Sequence, residues 1–142
     1  MKKGQAAVEY LSMVSISLLV LIPIWLFVSS INTDVQEDLN LGYVRQAVKR
    51  LGEAADLVHS QGYPAQLIVE VRVPNNVDSV SIQSNEVSVR ILKNEGFSDV
   101  FYVSNANLTG DLDSVFSTPG VKRVLIKAEP FAEYTIVNLT QA

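Results

Sequence analysis

No charged residue occurs between Tyr10 and Thr33 of this 142-residue chain. As an α-helix, the apolar part from Tyr10 to Ile31 would extend roughly 33 Å, because each helical residue adds about 1.5 Å. That length is sufficient to cross the hydrocarbon core of a bilayer. The run is longer than the roughly 7–15 apolar residues of a secretory signal peptide, and Val28-Ser29-Ser30 is a poor cleavage site. We therefore expect the segment to remain in the mature protein as a membrane-length helix.

The charges that flank this run predict its orientation. Lys2 and Lys3 precede it, and three acids follow it, namely Asp34, Glu37 and Asp38. Basic residues favour the cytoplasmic side of a membrane. The amino terminus is thus expected in the cytoplasm and the bulk of the chain outside.

Pro23 lies inside the apolar run. Proline has no backbone N–H and its ring clashes with the preceding turn, so the sequence predicts a kink or a locally unwound turn. Neighbouring helices can cover such a defect in a membrane. Membrane helices also carry prolines that have no functional role, and the sequence leaves both interpretations open.

Composition limits the function classes. The formal charge of −4 and the pI of about 4.9 argue against nucleic acid as a partner, since phosphate binding needs a basic surface. Cysteine is absent, so an extracellular domain must be held by its core or by assembly. The single histidine, His59, and the lack of catalytic or phosphate-binding motifs leave no recognisable active site. We expect no enzyme, no cofactor and no metal site.

A second helical pattern follows the apolar run, over residues 34–62. Its apolar residues recur at alternating spacings of three and four and form one stripe, which should pack on the following domain: Leu41, Val44, Val48, Leu51, Ala55 and Val58. Gly42 and Gly52 each lower helix stability by about 1 kcal/mol relative to alanine. They either allow subunits to approach closely or have no role. Gly62-Tyr63-Pro64 should end the helix, because proline disfavours a helical conformation in the residue before it.

Residues 65–142 change to a period of two, which is typical of half-buried strands. About six strands are predicted, with a hairpin around Ser84-Asn85-Glu86 and no helix between them, so antiparallel pairing is expected. Either one sheet backed by the helix or a small β-sandwich would satisfy the pattern. The segment NANLTGDLDSVFSTPG is rich in polar side chains, but it lacks the spacing of an EF-hand and is interpreted as a loop.

Two Asn-X-Thr triplets match the acceptor pattern for N-linked glycans: Asn107-Leu108-Thr109 and Asn138-Leu139-Thr140. Such triplets also arise by chance. On a domain that faces outward, they are candidate glycosylation sites.

The residues around the start of the apolar run resemble the class III signal peptide of archaeal type IV pilins. The sequence KKGQAAVEY contains a basic leader that ends in Gly4, then Gln5, and an acid at Glu9. Ala7 stands where the family has serine, and Met13 stands where it has leucine. The resemblance covers residues 1–31 and is only architectural beyond them.

This resemblance implies an organisation and a fold. Residues 1–4 would be a leader that a prepilin peptidase removes between Gly4 and Gln5, and residues 5–33 would be the apolar membrane and filament-core helix. Residues 34–62 would continue it as an amphipathic helix, and residues 65–142 would form the extracellular head. The implied fold class is α+β and type IV pilin-like, with one long helix packed on a β-rich head.

The resemblance also implies a function. The chain would be a structural subunit of an archaeal adhesion pilus, at the cell surface, and would polymerise with itself into a helical filament. Its other partners would be membrane lipid before assembly, the assembly ATPase and the membrane platform proteins. The carboxylate of Glu9 would pair with the new amino group on Gln5 of a neighbouring subunit, and this pair would specify register. The alternatives are a minor pilin or pseudopilin, and a membrane-anchored extracellular β-domain that does not polymerise.

Overall fold

The computed structural model describes residues 2–94, 96–131 and 134–142, and for residues 2–4, 131 and 134 it describes the backbone alone. In this part of the chain two helices and seven strands follow one another: α1 (Lys2–Gln61), β1 (Gln66–Val73), β2 (Val77–Gln83), β3 (Glu86–Lys93), β4 (Gly96–Val103), β5 (Asn107–Gly110), α2 (Asp113–Phe116), β6 (Gly120–Phe131) and β7 (Tyr134–Gln141). The chain divides into two compact units, and the boundary falls within α1, between Asp38 and Leu39. The predicted α+β class, with one long amino-terminal helix and a β-rich head, is confirmed.

The carboxy-terminal part of α1 packs on the head through its predicted apolar stripe. Five of the six stripe residues are fully buried, and Leu41 is partly buried against the core. Ala47 and Ala54 widen the buried face. The residues on the other faces, such as Lys49 and Glu53, are exposed and form an ion pair one turn apart. The spacing of three and four therefore identified the buried face correctly.

Glycine ends α1 where the sequence predicted. Gly62 has a φ of 71°, in the left-handed region that glycine adopts without steric cost. Its N–H donates to the carbonyl oxygen of Val58 at 3.1 Å, which satisfies one of the carbonyls that the end of a helix leaves free.

Two sheets make up the head. The first has four strands in the order β1-β6-β7-β5, and the second has three in the order β2-β3-β4. The second contains the predicted hairpin, in which Gln83 pairs with Glu86 across Ser84 and Asn85. The inner faces of both sheets and the buried stripe of α1 share one apolar core, to which Val71, Val89 and Val137 belong. The head is therefore built from two sheets and a helix around that core.

The segment predicted as a loop contains two short elements. β5 pairs with β7 in parallel, so the expectation of purely antiparallel pairing is wrong. Leu108 of β5 is buried, as are Val115 and Phe116 of α2, so this polar stretch contributes to the core. β5 has no strong signal in the sequence, because four residues are too few to establish a period of two.

Candidate assembly segment and modification sites

The first part of α1 presents a predominantly apolar surface. Every residue from Gln5 to Ile31 is exposed, and large side chains such as Tyr10 and Trp25 are 72% and 75% accessible. Soluble monomers rarely expose contiguous apolar patches larger than a few hundred Å². By length and composition α1 can cross a membrane, and none of its most apolar window is buried within the chain. This surface is compatible with insertion into a membrane.

Three serine hydroxyl groups within this segment are satisfied by the helix itself. Ser12, Ser15 and Ser17 donate to the carbonyl oxygens of Val8, Leu11 and Met13, four residues earlier, at 2.8–2.9 Å. An apolar solvent offers no hydrogen bonds, so a hydroxyl there needs a partner within the protein. These internal bonds make the three serines compatible with an apolar environment.

Gln5 and Glu9 lie on the same face of α1. They are four residues apart, which places their side chains one above the other on a helix, and both are exposed. Gly4 lies on the other side of the predicted cleavage site, and its surroundings lie outside the described residues. The structure thus places the predicted assembly residues Gln5 and Glu9 as neighbours on α1.

Pro23 does not interrupt α1. The helix continues through it, and no unwound turn occurs in the described part of α1. Of the two predicted outcomes, a kink or a locally unwound turn, the unwound turn is therefore wrong. Proline still removes one main-chain hydrogen bond here, because it has no N–H to donate.

Both candidate glycan acceptors lie on the outer face of the four-stranded sheet. Asn138 pairs with Thr109 across the β5–β7 ladder, while Leu108 and Val137 point to the core. Asn107 is exposed on the edge strand. Asn138 lies on an inner strand and is half-buried, and its Nδ2 is 3.5 Å from Oε2 of Glu129. The two sites therefore differ in access, which the triplets alone do not reveal.

A carboxylate on α1 joins the helix to the end of β4. Asp56 accepts hydrogen bonds from the Ser104 hydroxyl at 2.6 Å, the Asn105 N–H at 2.7 Å and the Tyr102 hydroxyl at 3.0 Å. Burial opposes the charged form, but these bonds outweigh it and hold the pKa of Asp56 below its ordinary value. This group could not be predicted from the sequence, because its partners are 46–49 residues away along the chain.

Gly52 also contacts β4. A side-chain carbon added at Gly52 would overlap the ring of Tyr102, whereas nothing lies within 4 Å of the same position at Gly42. Of the two roles considered for these glycines, close approach applies to Gly52, but the approach occurs within one head.

No set of side chains in the described residues provides for a metal, since no group of three or more His, Cys, Asp or Glu residues is close enough. Comparison of the chain with models of protein families, with curated proteins and with solved structures finds no match in any of the three.

Proposed function

We propose that this chain is a structural subunit of an archaeal type IV-like adhesion pilus. In this proposal the protein polymerises with itself through the apolar segment of α1 after removal of residues 1–4. Before assembly that segment lies in the cytoplasmic membrane with its amino terminus inside, and afterwards the head lies at the cell surface. Prepilin peptidase, the assembly ATPase and the platform proteins are the partners that such a pathway requires.

The exposed apolar surface from Gln5 to Ile31 carries the proposal. Burying one leucine-sized side chain contributes about 1.5–3 kcal/mol relative to water. The core within the described residues runs from Val44 to Leu139, so this surface gains nothing from it. The same segment of neighbouring subunits would supply a continuous apolar environment along a filament axis.

Gln5 and Glu9 give that axis a register. Cleavage after Gly4 would leave a positively charged amino group on Gln5, one helical turn from the carboxylate of Glu9. A charge within an apolar medium is costly unless it is paired. An amine and a carboxylate from adjacent, staggered subunits would pair in one alignment, and other alignments would leave both charges unpaired.

The native amino terminus tests the proposal directly. Mass spectrometry of the membrane and sheared-surface fractions should find a chain that begins at Gln5. Replacing Gly4 by a bulky residue should leave the uncut precursor in the membrane. A native terminus at Met1 or Lys2, or one beyond residue 30, would contradict the proposal.

A membrane-anchored β-domain that never polymerises is the second candidate. Lipid alone would also cover the exposed apolar surface. Ser12, Ser15 and Ser17 would be tolerated in lipid, because their hydroxyl groups are bonded within the helix. That protein would need no cleavage at Gly4 and would tolerate the loss of Glu9. A minor pilin shares both features with a major pilin, and the copy number in sheared filaments separates those two.

The outward-facing head is also proposed to carry N-linked glycan. Asn107 is the better acceptor, because its side chain is exposed at the edge of the sheet, whereas the amide nitrogen of Asn138 faces Glu129. Glycopeptide mass spectrometry of protein from the native host should find the modification at Asn107, and Thr109→Ala should abolish it. Modification at Asn138 alone would contradict this ranking.

A further inference from the structure

An open depression of about 510 Å³ lies on the outer face of the three-stranded sheet. Its volume is within the size range of small-ligand sites. Two rows of paired side chains cross it from β2 to β4. One row is Ser81, Ser88 and Phe101, and the other is Ser79, Arg90 and Asp99.

Exposed aromatic rings stand on β4 at this face. Phe97 and Phe101 are 63% and 62% accessible and point away from the core, to which β4 contributes Val100 and Tyr102 instead. Four residues of strand separate them by roughly 13 Å. The fold therefore does not need these rings for its interior, and each presents a flat apolar surface to solvent.

An ion pair lies between the rings. Nε and Nη2 of Arg90 donate to Oδ1 and Oδ2 of Asp99 at 2.7 and 3.0 Å. The guanidinium carbon is also 6.0 Å from the centre of the Phe97 ring. A guanidinium has five N–H groups and each carboxylate oxygen accepts more than one bond. The pair is joined by two hydrogen bonds and still retains both donors and acceptors for a ligand.

Serine hydroxyl groups also line the depression. Ser81 and Ser88 are hydrogen-bonded to each other across the strands at 2.9 Å, and each hydroxyl can both donate and accept. The charges of Arg90 and Asp99 cancel. Among the described lining residues, Glu86 is the remaining charged group, so the depression carries a slight negative charge.

We propose that this depression binds a neutral carbohydrate, with a sugar ring stacked on Phe101 and its hydroxyl groups bonded by Arg90, Asp99 and Ser88. Sugar rings combine an apolar face of C–H groups with adjacent hydroxyls that both donate and accept. The depression offers the matching set, an exposed ring beside paired donors and acceptors. Its slight negative charge disfavours anionic ligands, including nucleic acid and phosphate headgroups. The proposal does not rest on polymerisation.

A titration of the full chain in micelles tests this proposal. The detergent should be a phosphocholine, since a glycosidic detergent would itself occupy a sugar site. The probes are cellohexaose, maltohexaose and chitohexaose, each raised to about 10 mM, where a Kd near 1 mM still gives near-saturation. At least one should shift the amide NMR signals of Ser88, Arg90 and Phe101.

Matched variants locate the binding. Phe101→Ala should weaken it about tenfold, because it removes the stacking surface. Arg90→Lys keeps the charge, loses the two-pronged geometry, and should also weaken binding. Val121→Ala, which removes an equally exposed apolar side chain from the other sheet, should leave it unchanged.

Three results would overturn the proposal. The first is no shift with any of the three probes. The second is binding that Phe101→Ala leaves intact, or that an anionic probe such as oligogalacturonate matches. The third is an effect of Phe101→Ala on self-association of the chain in place of sugar binding, which would assign this face to a second copy.

Discussion

The hydroxyl of Tyr102 donates a hydrogen bond to Oδ2 of Asp56 at 3.0 Å and so joins the end of β4 to α1. The other carboxylate oxygen accepts from Ser104 and from the N–H of Asn105. Ser104 in turn accepts from the N–H of Ala106 at 3.0 Å. One acid on the helix thus satisfies the polar groups at the point where the chain leaves β4 and approaches β5.

Asp56→Ala should destabilise the head by about 3 kcal/mol, because it leaves three donors without their acceptor and hydrogen bonds to a charged group contribute about 1.5–3 kcal/mol. Tyr102→Phe is the matched control: it removes one of the three bonds and should lower the free energy of unfolding by about 1 kcal/mol. Urea denaturation of the full chain in micelles, followed by the β-sheet circular dichroism signal, measures both. Equal effects of the two variants would show that Tyr102 alone matters.

The same group predicts how stability depends on pH. The bonds from Ser104, Asn105 and Tyr102 outweigh the effect of burial and lower the pKa of Asp56 below its ordinary value of 3.8. A carboxyl with a lowered pKa contributes stability that is fully present above the unfolded value and is lost as the pH falls through the folded value. The free energy of unfolding should therefore decrease as the pH is lowered past about 4, and this decrease should be smaller in Asp56→Asn. Parallel pH profiles for the two proteins would contradict this assignment.

At the alkaline end the hydroxyl of Tyr102 acts in the opposite sense. Its hydrogen bond to Asp56, together with burial, raises the pKa of Tyr102 above 10.0. The contribution of Tyr102 to stability is complete at pH values below its unfolded pKa, and it is lost as the pH rises through its folded pKa. The pair therefore contributes fully across the neutral range.

Gly52→Ala and Gly42→Ala should have opposite effects although both replace a glycine in α1. Alanine at Gly42 meets nothing within 4 Å and should stabilise the helix by about 1 kcal/mol. Alanine at Gly52 would overlap the Tyr102 ring and should destabilise the head by about 1–3 kcal/mol, as overpacking does. Thermal unfolding of the two variants in parallel measures the difference. Stabilisation by both would mean that the ring of Tyr102 can move aside.

The features of the fold that were predicted correctly depend on residues that are close together along the chain. The spacing of Val44, Val48 and Leu51 identified the buried face of α1, and Gly62 its end, because both depend on neighbours within a few residues. The roles of Gly52 and Asp56 could not be read in this way. Each depends on a side chain of β4 roughly fifty positions later, and a helical glycine alone indicates only a loss of stability.

The features of the candidate assembly segment and modification sites could likewise be predicted only in part. The exposed segment and the neighbours Gln5 and Glu9 follow from composition and helical spacing. The different access of Asn107 and Asn138 does not, because it depends on their places within the sheet. β5 is an edge strand and β7 an inner one, and that order arises from tertiary pairing.

Glu9→Ala should leave the protein inserted and processed but poorly incorporated into filaments. Its carboxylate is exposed on an otherwise apolar surface, where a paired charge would specify alignment. Glu9→Asp should have a milder effect, since the charge remains although its reach shortens. Co-expression of each variant with the wild-type chain, followed by quantification in sheared filaments, measures incorporation. Normal incorporation of Glu9→Ala would reduce Glu9 to a charge near the helix start, where an acid offsets the helix dipole by about 0.3–1 kcal/mol.

A truncated chain that begins at Asp34 should be a soluble, folded monomer. The compact unit from Leu39 onward contains every buried apolar side chain of the described residues, including the stripe on α1 and the inner faces of both sheets. The removed segment adds nothing to that core, because its apolar side chains are exposed.

The truncated chain should also fail to polymerise, because it lacks the apolar segment through which assembly is proposed. Circular dichroism should report a β-rich protein with one helix, and analytical ultracentrifugation should find a single species with the mass of one chain. Its urea midpoint should match that of the head in the full chain, since the same core unfolds in both. An unfolded truncated chain would mean that the head depends on the amino-terminal segment. Filaments formed by the truncated chain would instead mean that the head assembles without it, and the proposed role of residues 5–33 would then be wrong.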